Sequence, residues 1–287
     1  MNFHVIIKLF KLPVKIMTIH FLYPSFPFDN KTIDESYSPE RDACLKAGFT
    51  FSLIDTEQLK DGVLSISNKN LIPENSILIY RGWMLSEKEY TTLFQLANKG
   101  FNLLTSIEQY FNSHYMSNWY ENVKEHTMPT VFCDIDNIIS TMHLYNLNDV
   151  FVKDFVKSLT TSRGSIAHSP EEAANIAQSI KKYRGFIDGG IALRKVINLN
   201  EDCENRYFVF NGNILSNDEY IPELVFSIAK IHNAPFYTID IGKTVENEDI
   251  LIEIGDGQVS DLKNWNIDNF YSQMKLLTSK LKPRHFL

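Results

Sequence analysis

The sequence sets a carboxylate inside each of two apolar runs, Asp240 in FYTIDIG and Glu253 in ILIEIGDGQ. Residues 236–241 and 250–254 read as strands, because β-branched and aromatic residues dominate them and a polar stretch separates them. A carboxylate in a half-buried strand is costly unless an ion pair or a bound cation compensates it. A hairpin would bring the two acids side by side, where they repel unless a cation intervenes. Mg2+ takes oxygen ligands, usually one or two carboxylates plus substrate phosphates. Asp240 and Glu253 are therefore candidate metal ligands; the plainer reading of Asp240 is a cap for the turn before Gly242.

Such a pair calls for cations across a gap, and residues 151–158 (FVKDFVKS) offer them. Strict alternation puts Phe151, Lys153, Phe155 and Lys157 on one face of a strand. A solvated face would not normally carry the phenylalanines. A small polar loop follows at residues 159–165. A helix then opens with Ser169 as N-cap, Pro170 at the first position and two glutamates in the first turn, and runs to about Tyr183. Residues 191–198 are a strand carrying Arg194 and Lys195. Asn211-Gly212-Asn213 is a hairpin turn, residues 222–232 are a helix, and residues 266–281 form a last amphipathic helix. Arg194 and Arg206 also have bland readings, as ion-pair partners of Glu201, Asp202 or Glu204. Asp134-Ile-Asp136 is read as a loop rather than a metal motif.

The first half alternates strand and helix. A strand begins at Met17, a helix ends at Gly48, a strand covers residues 49–54, and SILIYR (residues 76–81) is a further buried strand. A helix then runs through Ala97 and a short strand covers residues 101–104. These describe a small open α/β domain over residues 17–115. Residues 106–127 are helical and rich in aromatic side chains, which are expected to pack between lobes. Residues 1–16 are apolar but broken by Lys8, Lys11 and Lys15, and are read as an extension. They are too short and too charged for a membrane span of ~20 residues and lack a signal-peptide cleavage pattern. A net charge of −7 with no basic stripe argues against nucleic acid. Three widely spaced cysteines suggest a reducing cytoplasm.

Several of these segments resemble the ATP-grasp superfamily. Residues 236–262 are similar to the end of its domains, where an Asp closes one strand and Glu-x-Asn ends the next. Glu204-Asn-Arg206-Tyr-Phe-Val-Phe-Asn-Gly resembles its hairpin, and residues 151–158 resemble its phosphate-binding lysine strand. Tyr80-Arg81-Gly82-Trp83-Met84, with Tyr110 downstream, resembles a divergent clade named for one arginine and two lysines, which includes a eukaryotic translation-factor assembly protein. The resemblance implies an α/β plus α+β fold: an N-terminal open α/β lobe, then a two-lobe ATP-grasp domain over residues 116–287. It implies ATP and Mg2+ as cofactors. Lys153 and Lys157 would meet the phosphates, and the backbone of Lys195 and Val196 the adenine. Arg194 would lie at the hinge and Arg206 would steady the transferred phosphoryl group, with Lys157 beside them. Asp240 and Glu253 would hold metal. Gly255 stands where the family has asparagine, and Asp256 is the candidate replacement. Arg81 is a candidate substrate ligand, with a structural anchor as its alternative.

The activity implied is ATP-dependent ligation of a carboxylate to an amine or thiol through an acyl-phosphate. The substrates would be small molecules or peptides, and no membrane partner is expected. A nucleotide-gated assembly factor that binds a partner protein is the rival, and a simple kinase is a third possibility.

Overall fold

The computed structural model describes residues 18–27, 29–156, 164–200 and 204–280. The proposed extension at residues 1–16, Lys157 and most of the loop after it lie outside the described residues. β1 (Ile19–Phe26) is the centre of the N-terminal sheet. It pairs in parallel with β3 (Thr50–Ile54) and β4 (Ile77–Tyr80), and β4 pairs in parallel with β5 (Asn102–Leu103), while β2 (Asp29–Ile33) folds back antiparallel on the end of β1. Parallel strands need cover on both faces, and β1 is buried along all but its last residue. Leu22, Leu78 and Tyr80 pack on α3 (Glu87–Ala97) and α4 (Ile107–His114). Both helices begin with capping boxes, Ser86 with Glu89 and Ser106 with Gln109. The opposite face, with Phe21, Tyr23 and Ile79, packs on α1 (Ser38–Lys46) and on the last helix of the chain.

The chain then crosses through α5 (Met116–Val123) into a central antiparallel sheet. Its order is β6 (Thr130–Cys133), β9 (Ile191–Lys195), β7 (Val150–Asp154), β8 (Ile166–Ala167). One face is covered by α6 (Ile138–Leu144) and α7 (Pro170–Arg184), with Val150, Val152, Ile176 and Leu193 between them. Ser169 accepts from the Glu172 amide at the start of α7, and Gly185 ends it in the left-handed conformation. β7 is shorter than its alternation suggests. It stops at Asp154 because the Asp154 carboxylate takes the Val156 amide and the Phe155 carbonyl takes the Met116 amide.

A third sheet closes the molecule, in the order β11 (Asn213–Leu215), β10 (Asn205–Phe210), β12 (Phe236–Lys243), β13 (Asp249–Asp256). The β10–β11 turn has φ of 47° at Asn211 and 73° at Gly212, the positive pair that tight hairpins require. Tyr207, Val209, Tyr237 and Ile239 point to α5 and to α8 (Glu223–Ile231), where they meet Trp119 and Tyr120. The aromatic residues expected to pack between lobes divide between two cores: Tyr110 stacks on Tyr90 within the first domain and Trp119 lies in the third-sheet core. Phe208, Phe236 and Phe210 face the other way, onto α9 (Ile267–Lys280). Through Phe270, Tyr271 and Met274, α9 completes the core of the N-terminal domain. Among the described residues no helix is long and apolar enough to cross a membrane.

His20 is buried in β1 between the hydroxyls of Thr50 (2.7 Å) and Ser52 (3.0 Å). Burial pushes its pKa down from 6.5 to about 4. The unfolded chain therefore binds a proton that the folded chain refuses, so stability present above pH 6.5 is lost as pH falls toward about 4. His20→Asn should be less stable than the parent at pH 8, with the difference shrinking across that window. Urea unfolding at a series of pH values checks this, and a pH-independent difference would contradict it.

Candidate functional site

A row of charges crosses the third sheet. Arg206 on β10 lies opposite Asp240 on β12, which lies opposite Glu253 on β13. Side chains directly opposite on one face are neighbours, so the register brings the two acids side by side, as the hairpin requires. Two cations flank the pair. Arg206 grips Asp240 with two bonds, Nε to Oδ1 at 2.8 Å and Nη2 to Oδ2 at 2.7 Å. Lys153 reaches across from β7 in the central sheet, its Nζ 2.6 Å from Glu253 Oε1. The repulsion expected between the carboxylates is thus relieved by the protein's own cations.

Asp240 is held more tightly than Glu253. Lys263 Nζ also lies 3.1 Å from Asp240 Oδ2 while bonding Glu204. Burial works against the Asp240 carboxylate, but Arg206 and then Lys263 outweigh it and hold its pKa below the usual value. Its side chain is 2% exposed, whereas that of Glu253 is 34% exposed. Arg206 has a further anchor, donating from Nη1 to the Asp261 carboxylate at 2.7 Å and carbonyl at 2.9 Å. Lys263 and Asp261 come from the turn after β13, and nothing in their local sequence marks them.

Beside this row is a cavity of about 750 Å3, lined by Tyr37, Trp83 and His114 from the first half of the chain and by Arg206, Glu253 and Lys263 from the second. It lies between the N-terminal domain and the third sheet. Lys153 and Arg194 share one face of the central sheet, since Phe151 pairs with Arg194 and Lys153 with Ala192. Arg194 is buried and ties that sheet to β13, donating to the Ile252 carbonyl at 3.0 Å and the Thr127 hydroxyl at 2.8 Å. Burial pushes its pKa down, and nearby Glu253 opposes that.

The remaining candidates lie apart from the row. Lys195 is exposed and its amide donates to the Pro129 carbonyl at 2.8 Å, and Val196 follows it half-buried; neither lines the cavity. Asp256 is fully buried on the other face of β13 from Glu253 and is not brought to the acid pair. Its Oδ1 accepts from the Gln258 amide and side chain, and its Oδ2 has no hydrogen-bond partner among the described residues. Burial pushes its pKa up to about 7. Asp134 and Asp136 flank and enter a short 3-10 turn, and no group of three or more His, Cys, Asp or Glu placed to hold a metal ion occurs among the described residues.

Arg81 lines the cavity, but its hydrogens are already engaged. It makes two bonds to Glu40, Nη2–Oε1 at 2.6 Å and Nε–Oε2 at 3.0 Å. Nη1 donates to the carbonyls of Gly257 (2.6 Å) and Ser260 (2.7 Å). Tyr271 of α9 donates to Glu40 and shares a hydrogen bond with Tyr23. This geometry is that of the structural anchor: the N-terminal domain, α9 and the turn after β13 meet at one guanidinium.

Two expectations follow. Arg81→Ala leaves Glu40 buried without its cation, so unfolding free energy should drop by ~3–5 kcal/mol in urea titrations; a loss below ~1 kcal/mol would show that the contact is incidental. Lys153→Met removes the only cation hydrogen-bonded to Glu253 among the described residues. It should lower the melting temperature by only a few degrees, because Glu253 is part-exposed and can meet water instead; a loss as large as that of Arg81→Ala would show that the pair is chiefly structural.

Residues 142–274 match the model of an ATP-grasp domain, family 3 of the clade named for one arginine and two lysines. The D-alanine-D-alanine ligase from Coxiella burnetii superposes with a TM-score of 0.61 at 12% identity, over 93% of this chain and 96% of that one. D-cycloserine synthetase DcsG gives 0.58 at 11% identity, over 91% and 99%. The ATP-grasp ligase PsnB, complexed with a phosphomimetic variant of minimal precursor, Mg and ADP, gives 0.55 at 10% identity, over 91% and 97%. Likeness at such identities is likeness of fold. No curated protein matches the chain. Residues 142–274 thus match the clade's ATP-grasp domain, and nearly the whole chain shares the fold of ATP-grasp ligases.

Proposed function

We propose that the protein is an ATP-dependent ligase that joins a carboxylate to an amine or thiol through an acyl-phosphate. The observation that carries this reading is the Lys153–Glu253 pair, which sets a buried lysine of one sheet against a part-exposed carboxylate of another at the edge of a large cavity. Phosphoryl transfer is mainly a matter of positioning and of stabilising charge, and the site offers cations for that purpose.

ATP and Mg2+ would supply the phosphoryl group and the charge that screens it. Glu253 fits the metal, being the more accessible acid of the pair. Lys153 would exchange Glu253 for a phosphate oxygen. Arg194 positions β13, and so Glu253, from behind. Arg206, with Lys157, would stabilise the transferred group. Lys195 and Val196 would border the base. The substrate carboxylate would attack the terminal phosphorus and release ADP. The amine would then attack the acyl carbon, releasing phosphate and a proton. Tyr37, Trp83 and His114 would contact the substrate. The PsnB complex, with Mg, ADP and a precursor, lends support from a neighbour of the same fold. Reduced Cys44 and Cys133 fit action in the cytoplasm.

Phosphate release should require ATP, a carboxylate and an amine together, measured across a matrix of amino acids and short peptides. Glu253→Gln should lower that turnover by ~10²–10³-fold, the typical loss on removing one electrostatic stabiliser. ATP binding with no release in any combination would favour the assembly-factor reading.

A further inference from the structure

We propose that this chain holds one divalent cation with its nucleotide, through Glu253, and that Asp240 is a positioning residue for Arg206 rather than a metal ligand. This rests on the reading above that ATP binds at the Lys153–Glu253 pair.

Both oxygens of Asp240 are engaged, and its side chain is only 2% exposed. Oδ1 accepts from Arg206 Nε, and Oδ2 accepts from both Arg206 Nη2 and Lys263 Nζ. To reach a metal ion it would have to release a bidentate arginine, and breaking a buried pair is strongly unfavourable. The arginine is itself pinned from the far side by the Asp261 carboxylate and carbonyl. Glu253 differs: about a third of its side chain is open, and it meets one lysine through one oxygen.

The position two residues after Glu253 is tightly packed. A Cβ on Gly255 would stand 2.7 Å from Thr238 Oγ1 and 2.9 Å from Ser260 Oγ, inside normal contact distance. Those hydroxyls are 3.1 Å apart and bonded, and Ser260 also donates to the Asp256 carbonyl at 2.8 Å. A side chain at Gly255 would have to displace these bonded hydroxyls, so the packing here suits a glycine and not an asparagine ligand. Asp256 borders the same cavity, but it is fully buried and the register puts it on the opposite face of β13 from Glu253, so the two are not presented to one ion. One carboxylate plus phosphate oxygens and water is a common Mg2+ environment, and these residues provide that much for one ion.

The test is equilibrium dialysis of the full chain against Mn2+ and a non-hydrolysable ATP analogue, counting both ligands on the protein. One Mn2+ per bound nucleotide is expected. Glu253→Gln should weaken that ion at least tenfold, while Asp240→Asn, checked for a native circular dichroism spectrum, should keep the count at one. Two ions per bound nucleotide in the parent protein would overturn the proposal and leave the nucleotide site standing; that count decides even where Asp240→Asn does not fold. A Glu253→Gln protein that keeps its ion, or a folded Asp240→Asn protein that loses it, would also overturn the assignment. Absence of any nucleotide binding would sink both this inference and the site on which it rests.

Discussion

The contact between Lys153 and Glu253 is the one on which the geometry of the second half depends. The central sheet and the third sheet each have their own core and helices. They face one another across charges, because β7 turns Lys153 and β13 turns Glu253 toward the other sheet. Lys153, which is buried, is costly without a partner, whereas Glu253 is part-exposed. Their pairing fixes the distance between the sheets, and Arg194 reinforces it by reaching the Ile252 carbonyl next to Glu253. A pair that is only partly buried can also be exchanged for another partner, which is what a binding cleft needs.

A second network performs a different task. Arg81, Glu40, Tyr271 and Tyr23 join strands, helix and turn from opposite ends of the chain in a buried cluster. Its rigidity reaches the charged row indirectly. Arg81 holds the carbonyls of Gly257 and Ser260, and the same turn presents Asp261 to Arg206 and Lys263 to Asp240. The N-terminal domain thus shapes the cavity both by lining it and by fixing the loop that organises its charges.

Much of this was legible in the sequence wherever the determinant is local. β-branched and aromatic content marked the acid-bearing strands, alternation marked the lysine strand, Asn211-Gly212 marked the hairpin, and Ser169-Pro170 marked the start of α7. Boundaries were less legible. The alternation of residues 151–158 continues past the strand end because the interruption comes from Asp154 and Met116, which bond the backbone of the following residues. The resemblance to the ATP-grasp superfamily was likewise carried by short segments whose order survives even though each is weak alone.

What the sequence determined by itself is therefore the inventory: which strands exist, which of them carry a buried charge, and that such charges demand partners. Which partner each charge takes was decided by tertiary structure alone. Lys153 and Glu253 are 100 residues apart, Arg81 and Glu40 are 41, and Arg206 and Asp240 are 34. Strand register and sheet packing bring them together, and no local propensity encodes either. The same holds for space: Gly255 reads as a missing ligand in the sequence, and only the approach of Thr238 and Ser260 shows that a side chain there would have to push two bonded hydroxyls aside. Local preferences act over a few residues of backbone, whereas pairing and exclusion are set by the close packing of segments far apart in the chain.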